Sequence, residues 1–402
     1  MKVLHLANVM GKRRGGGVHE VAFNFWNYQN IFKLPSHLWF PGDKSELDEL
    51  ALDAFNGSNL QVLDTLFHPD FGLLTESYNL INKCRAYDII HQHGIWLPTS
   101  FVSVKSKTKF NTKIIVQPHG YLEPYSLKRS RLKKIVNYWL FEKQNLEKCD
   151  VLLACSLKEM NNLRYYFPEK DIAVIPNGIT RSFFDAKPTE NYFADSRFKK
   201  KKNLLFLSRI HQTKGLERLI KAYADNSKLN KDWNLIIAGS GSEYYIKSLV
   251  DYVDHLSLND MVFFEGPVFN QSKINLLYSA DLFVLPTFTE NFGIVVVEAL
   301  AKGLPVITTK SAPWSDLEDY NCGLWVDDSE DGIKNGIEKA ISLSETDLKR
   351  MSQNGKKLVA EKYLWENIVE QTVDLYQWML TKRNKPSFVY EGDPLKKGKS
   401  IY

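Results

Sequence analysis

Short continuous apolar runs alternate with helix-period segments along almost the whole chain. The runs fall at residues 2–7, 88–94, 114–120, 150–156 and 172–179, then again at 203–208, 233–238, 261–264, 281–285, 306–309 and 323–326. Each is only a few residues long and closes on glycine, proline or polar residues, the pattern of strands buried on both faces. Helical patterns follow several of them, such as Val21, Ala22, Phe25 and Trp26 after the first run. Strand and helix in alternation predict parallel sheets covered by helices. Residues 180–202 are polar and aperiodic, which predicts a linker between two α/β halves. The last amphipathic pattern runs through Ile368, Val369, Val373, Leu375, Tyr376 and Met379. Beyond it, residues 382–402 carry prolines and many lysines and read as a mobile tail.

The most informative stretch is 286–303, PTFTENFGIVVVEALAKG. A buried run precedes it, a helix is expected to start near Asn291 or Phe292, and Gly303 suits the residue just past the helix end. A loop between strand and helix lies at the carboxyl end of the strand, where ligands bind in open α/β sheets. Glu290 stands on that loop, and Glu298 stands inside an apolar helix among Ile294, Val295, Val296, Val297 and Leu300. A carboxylate in such company needs hydrogen-bond donors. Ligand hydroxyls would supply them, whereas the structural reading is a salt-bridged helix acid and a solvated loop acid. The amides of Asn291, Phe292, Gly293 and Ile294 would be the unsatisfied donors of a helix start, which suit an anion.

Composition narrows the class without changing it. The 402 residues carry a net charge of +5, 44% hydrophobic and 25% charged residues, the balance of a soluble globular protein of two or three domains. Cys84, Cys149, Cys155 and Cys322 show no metal-ligand spacing and read as reduced thiols of a cytosolic protein. The N-terminus reads as a strand rather than a signal peptide, and no apolar run reaches the roughly 20 residues of a membrane span.

Other loops carry further candidate chemistry. Arg209 and Lys214, in Ser-Arg-Ile-His-Gln-Thr-Lys-Gly, put two cations after a strand, where a forked and a compact donor suit a diphosphate. Gly239-Ser240-Gly241 follows the next strand, and Gly15-Gly16-Gly17 with Gly11 follows the first, both read as places where a ligand approaches backbone. His93 and His119 stand at two strand ends, His119 between Pro118 and Gly120 on a constrained turn. Lys128, Arg129, Arg131, Lys133 and Lys134 crowd before an aromatic segment, a pattern that fits either an anionic membrane face or a solvated helix face. There is no basic-aromatic RNA-binding signature, and nucleic acid is not expected as a partner. No Asp-x-Asp or His/Cys cluster is visible in the spacing, so no metal site and no cofactor is required.

The Glu-x7-Glu spacing of Glu290 and Glu298, with the Arg-x4-Lys-Gly of Arg209 and Lys214 and the Pro-His-Gly at His119, resembles the family-4 retaining glycosyltransferases. The resemblance runs through nearly the whole chain and is strongest from residue 203 to 326. Between Arg209 and Lys214 the usual acid is replaced by His211-Gln212-Thr213. The resemblance implies an α/β GT-B fold, two doubly wound Rossmann-like domains facing each other across a cleft. Residues 1–185 would bind acceptor, 203–362 the nucleotide sugar, and a helix at 363–381 would return to the first domain before the tail at 382–402. It implies transfer of a hexosyl unit from a nucleoside-diphosphate sugar to a hydroxyl with retention. Arg209 and Lys214 would neutralise the diphosphate, Glu290 would bind the sugar, Glu298 the ribose, and His119 the sugar or the charge at the reacting centre. Gly16 and Gly17 would border the diphosphate and the turn at Val268 the base. His93, Lys128, Arg129 and Arg131 would face a glycan or polyprenyl-diphosphate acceptor. A cytoplasmic enzyme, peripheral on the inner face of the plasma membrane, follows for O-antigen, capsule or exopolysaccharide assembly. A sugar-nucleotide 2-epimerase and a non-catalytic nucleotide-sugar-binding protein are the alternative readings.

Overall fold

The computed structural model describes residues 1–7, 16–42, 59–64, 74–198 and 201–402. Its strands are β1 (Val3–Leu6), β2 (Ser36–Pro41), β3 (Leu60–Leu63), β4 (Ile89–His93), β5 (Lys113–Gln117), β6 (Val151–Ala154), β7 (Ile172–Val174), β8 (Lys202–Leu207), β9 (Trp233–Ala238), β10 (Val262–Gly266), β11 (Leu282–Leu285), β12 (Val306–Thr309), β13 (Gly323–Val326) and β14 (Val389–Tyr390). Two compact units result, Met1–Asn177 with Trp365–Tyr402, and Gly178–Leu364.

In the first unit the sheet order is β14-β7-β6-β5-β4-β1-β2-β3. Neighbouring strands are parallel except β14, which runs antiparallel to β7. Leu4, Leu6, Ile90, Ile114, Val116 and Leu152 face one apolar layer, and Val3, Ile89, Ile115, Val151 and Leu153 face the other. This two-sided burial is why the strands read as continuous apolar runs rather than alternating ones. The second layer is filled by Phe25 and Tyr28 of the helix Gly16–Ile31 and by Trp365, Ile368, Val369, Tyr376 and Met379 of the helix Trp365–Thr381.

In the second unit the order is β10-β9-β8-β11-β12-β13, all parallel. The chain winds outward from β8 through β10, returns to the centre at β11, and winds out the other way to β13. The loops leaving β8 and β11 therefore diverge from adjacent strands, the switch point at which a doubly wound sheet opens a crevice.

Two expectations give way. Residues 382–402 are not a mobile tail: Val389 and Tyr390 pair with Ala173 and Ile172, and Tyr402 packs its ring on Tyr138 and Trp96. Their apolar residues, sparse in a lysine-rich stretch, find an open sheet edge. Residues 180–202 are not a linker either: the segment belongs to the second unit, with Phe198 fully buried, Thr189 amide bonded to Asn275, and Tyr192 Oη bonded to Glu265. Its aperiodicity reflects a coat laid over a sheet rather than a tether. Among the described residues no helix is long and apolar enough to cross a membrane.

Candidate functional site

The loops after β8 and β11 meet at the switch point of the second sheet. Lys214 Nζ lies 2.5 Å from Glu290 Oε2, with both side chains largely buried. Backbone and buried side chains hold the two loops in place. Phe288 amide and Thr287 Oγ1 both donate to the Thr213 carbonyl, at 2.8 and 3.0 Å, and Glu290 amide donates to the Ser311 carbonyl at 3.2 Å. Beneath them Arg218 donates to the Pro286 carbonyl at 2.8 Å and to the Asp328 carbonyl, and its guanidinium lies 3.5 Å from the centre of the Phe288 ring. At Gly215, φ is +70° and a Cβ would fall 2.2 Å from the Pro286 oxygen, so only glycine lets the two loops touch. Arg209 stands on the same loop as Lys214 with its side chain exposed.

The helix after Glu290 runs Ile294–Ala301, starting two to three residues later than the sequence suggests. Gly293 occupies the cap at φ +81°, and Trp314 Nε1 donates to the Phe292 carbonyl at 2.6 Å, which holds residues 291–293 as loop. The helix start still lies beside Glu290, whose Cγ would be 3.1 Å from a Cβ on Gly293. Gly303 ends the helix as expected: its amide bonds to Leu300 and that of Leu304 to Ala299. Glu298 is 6% exposed; Lys273 pairs with its Oε1, and its Oε2 is buried without a hydrogen-bond partner. Val268 follows the end of β10, half-buried.

Gly239 and Gly241 do not hold room open for a ligand. A Cβ on Gly239 would meet the Ser208 oxygen at 1.8 Å, and one on Gly241 the Ile210 oxygen at 2.3 Å. Their missing side chains let the loops after β8 and β9 join, with Ile210 amide bonded to the Ser240 carbonyl at 2.7 Å. Gly16 and Gly17 lie in the helix Gly16–Ile31 rather than in a loop, and a Cβ on Gly17 would meet nothing within 4 Å. Gly11 and Gly15 lie outside the described residues.

In the first unit, His119 sits two residues past the end of β5 in a left-handed turn, φ +54°, followed by Gly120 at +77°. Glu159 fastens that turn: its Oε1 accepts from the Gly120 amide at 2.6 Å and its Oε2 from the Cys155 amide at 2.8 Å. His93, expected to face the acceptor, is fully buried, with Nδ1 3.3 Å from His119 Nε2 and Nε2 2.9 Å from His5 Nδ1. His5 pairs with His91 across β1 and β4, and His93 follows two residues on, so strand register gathers three imidazoles that no spacing announces. One ring nitrogen of each lies within 4.8 Å of the others. His5 and His93 bond each other directly through ring nitrogens. Burial pushes His5 down to about 4, His119 down to about 3, and His91 and His93 well below the ordinary histidine range, so all four are neutral at pH 7.

The profile of the family described as Glycosyltransferase Family 4 matches residues 15–183, and that described as Glycosyl transferases group 1 matches residues 188–358. The chain belongs to the family-4 glycosyltransferases. It is 29% identical over 352 residues to an uncharacterized glycosyltransferase of Methanocaldococcus jannaschii, across 80% of this chain and 85% of that one. It is 25% identical over 257 residues to the O-antigen biosynthesis glycosyltransferase WclY of Escherichia coli, across 62% of this chain and 68% of that one. HepE of Anabaena, solved in complex with UDP, superposes with a TM-score of 0.73 at 18% identity, over 94% of this chain and 100% of that one. The fold is accordingly GT-B, with two Rossmann-like domains.

In this glycosyltransferase the basic residues Lys128, Arg129 and Arg131 are all exposed, around a short helix end and the start of the helix Arg131–Asn137. Leu132, Val136, Trp139 and Leu140 beside them are 57–80% exposed. Spaced at i, i+4, i+7 and i+8, they form one apolar stripe on the helical segment. Several family-4 site partners escaped sequence reasoning. Arg218, Lys273 and Glu159 sit on helices whose patterns give no hint of their tertiary bonds. The link from His5 to His93 depends on strand order, which no local motif encodes.

Proposed function

We propose that this glycosyltransferase moves a hexosyl unit from a nucleoside-diphosphate sugar to a hydroxyl of a lipid-linked glycan, with retention and without a metal ion, in O-antigen, capsule or exopolysaccharide assembly. The observation that carries the reading is the Lys214–Glu290 pair, two opposite charges held on facing loops at the switch point of the second sheet. When a diphosphate arrives, Lys214 gains a phosphate partner and Glu290 is released to accept from sugar hydroxyls. Arg209 and the first-turn amides of the helix Ile294–Ala301 add donors toward the same diphosphate. Glu298 offers its unpartnered Oε2 to ribose hydroxyls. Transfer breaks the bond between the anomeric carbon and the phosphate oxygen, whose electron pair leaves with the diphosphate. The acceptor oxygen bonds to the anomeric carbon and its proton passes to the departing phosphate. Positive charge held at the leaving group is worth most where water is excluded. HepE was solved with UDP and WclY is named for O-antigen biosynthesis, and both support the donor and the setting.

The exposed stripe of Leu132, Val136, Trp139 and Leu140 flanked by Lys128, Arg129 and Arg131 supports docking on an anionic bilayer, where such an acceptor resides. A thermal-shift screen of UDP-, GDP- and ADP-sugars, with and without Mg2+, tests the donor reading. A shift with one nucleotide class, unchanged by the metal and lost in Lys214→Ala and Glu298→Ala, is expected. No shift with any of them at millimolar concentration would refute the donor site.

A further inference from the structure

His119 ends a hydrogen-bonded chain that crosses the first unit. Tyr376, on the helix Trp365–Thr381, has its Oη 2.8 Å from His91 Nδ1 and 3.1 Å from Gln29 Nε2. Gln29 Oε1 lies 2.9 Å from His5 Nε2, His5 Nδ1 lies 2.9 Å from His93 Nε2, and His93 Nδ1 lies 3.3 Å from His119 Nε2. Gln29, His5, His91 and His93 are fully buried, as is Tyr376, so water does not compete with the bonds among them, and the chain reaches partial exposure only at His119.

The proton positions in this chain are not independent. A neutral imidazole has one donor and one acceptor nitrogen, whereas an amide carbonyl only accepts. Because Gln29 turns its carbonyl to His5, His5 must donate from Nε2 and its Nδ1 is bare. His93 must then donate from Nε2 to that bare nitrogen, which leaves His93 Nδ1 bare. His119 must in turn donate from Nε2, and its Nδ1 is left as an acceptor. On the other side the Gln29 amide N–H donates to Tyr376, whose hydroxyl donates to His91 Nδ1. His91 then carries its proton on Nε2, and the fully buried Gln117 side chain, level with His93 on the next strand, interacts with both His91 and His93.

We propose that Gln29 and Tyr376 are positioning residues for the transfer reaction: through His5 and His93 they fix His119 as its Nε2–H tautomer, so that it offers a bare Nδ1 to a hydroxyl of the donor sugar. Tyr376 anchors the Gln29 amide, and the orientation of that amide sets every tautomer down to His119. His119 is thus an acceptor for substrate and not a proton donor, and its own desolvation keeps it neutral. The kinetic consequence rests on the sugar contact that the family resemblance implies for His119, whereas the tautomer itself does not.

The test is 15N NMR of the full-length enzyme with labelled histidine at pH 7, without substrate, in which the tautomer is read from the two ring-nitrogen shifts. His119 is expected as a single Nε2–H form whose signals stay unchanged from about pH 8 to about pH 5. Tyr376→Phe, which keeps the ring, and Gln29→Leu are expected to shift His119 toward a mixture of tautomers. With a donor sugar identified, both variants should raise the donor KM about 10-fold or more while affinity for its nucleoside diphosphate stays at the wild-type value. A wild-type His119 carrying its proton on Nδ1, or charged at pH 7, overturns the proposal. So does a folded Tyr376→Phe protein whose His119 signals match those of the wild type. A correct tautomer with unchanged kinetics would instead contradict only the sugar-binding role of His119.

Discussion

Lys214 Nζ and Glu290 Oε2 are 2.5 Å apart across 76 positions of sequence, an ion pair that joins two loops. The pair makes the two side chains separable by experiment. Lys214→Ala is expected to weaken nucleoside-diphosphate binding and to lower kcat by about 100- to 1,000-fold, the effect of removing one charge-stabilising donor. Glu290→Gln should leave nucleoside-diphosphate affinity at or above the wild-type value, because Lys214 then lacks an anionic partner, while transfer falls. Calorimetry with the nucleoside diphosphate that binds and steady-state kinetics distinguish the two. Equal loss of affinity in both variants would contradict the assigned roles.

Glu298 offers a second separation. Lys273→Met leaves a buried carboxylate with neither oxygen paired, which costs about 1–3 kcal/mol of stability. Binding of the nucleoside diphosphate should then stabilise this variant more than it stabilises the wild type, since ribose hydroxyls would be the only donors to Glu298. Thermal unfolding with and without the nucleoside diphosphate that binds checks this, and an equal ligand-induced shift in both proteins would count against the ribose contact.

The left-handed turn at His119 depends on Glu159. Removing the carboxylate in Glu159→Ala orphans the Gly120 and Cys155 amides, each at a cost of about 1–3 kcal/mol. The expected result is a lower urea midpoint together with a fall in kcat/KM that persists at temperatures where the variant is fully folded. Recovery of wild-type activity in the folded variant would show that the turn does not need this clamp.

The buried histidines make stability pH-dependent. Burial holds His5 at about 4 and His119 at about 3, and His91 and His93 lower than the ordinary 6.5. Their contribution is complete above about pH 6.5 and is lost as pH falls from there through the folded values, by about 1.4 kcal/mol per pH unit for each proton taken up on unfolding. Glu142 opposes this. Burial raises it from 4.5 to about 7, so its contribution is present at low pH and lost as pH rises through that interval. Glu123, Glu159 and Asp281, also raised by burial, act in the same sense as Glu142; the four histidines, joined by the lowered His37, outnumber these carboxyls, and the urea midpoint should fall between pH 6.5 and 5. Substituting His5 by Gln should shallow that fall. A midpoint that is flat or rises on acidification would contradict the neutral cluster.

The sheets and the loops of Lys214 and Glu290 are readable from sequence because their determinants are local. Apolar runs such as residues 281–285 are strands buried on both faces, and Arg209, Lys214 and Glu290 occupy short loops directly after such runs. What could not be read depends on which strands lie side by side. His5 and His91 are partners only because β1 sits next to β4. Gly239 reads as ligand space until the Ser208 oxygen is seen to fill it. Lys273, on a helix of weak periodicity, becomes the partner of Glu298 only when that helix packs beside Ile294–Ala301. The tail misleads for a related reason: two residues, Val389 and Tyr390, suffice to bind it to a free sheet edge, too few to outweigh the charged composition around them.

The most direct test of the donor site is a calorimetric titration of UDP and of the other nucleoside diphosphates into the wild type, Lys214→Ala and Glu298→Ala, each in Mg2+ and in EDTA. One nucleotide is expected to bind with the same affinity in both buffers and about 10-fold or more weakly in each variant. Binding that needs the metal, or that survives both substitutions unchanged, would contradict a diphosphate held by Lys214 and a ribose held by Glu298.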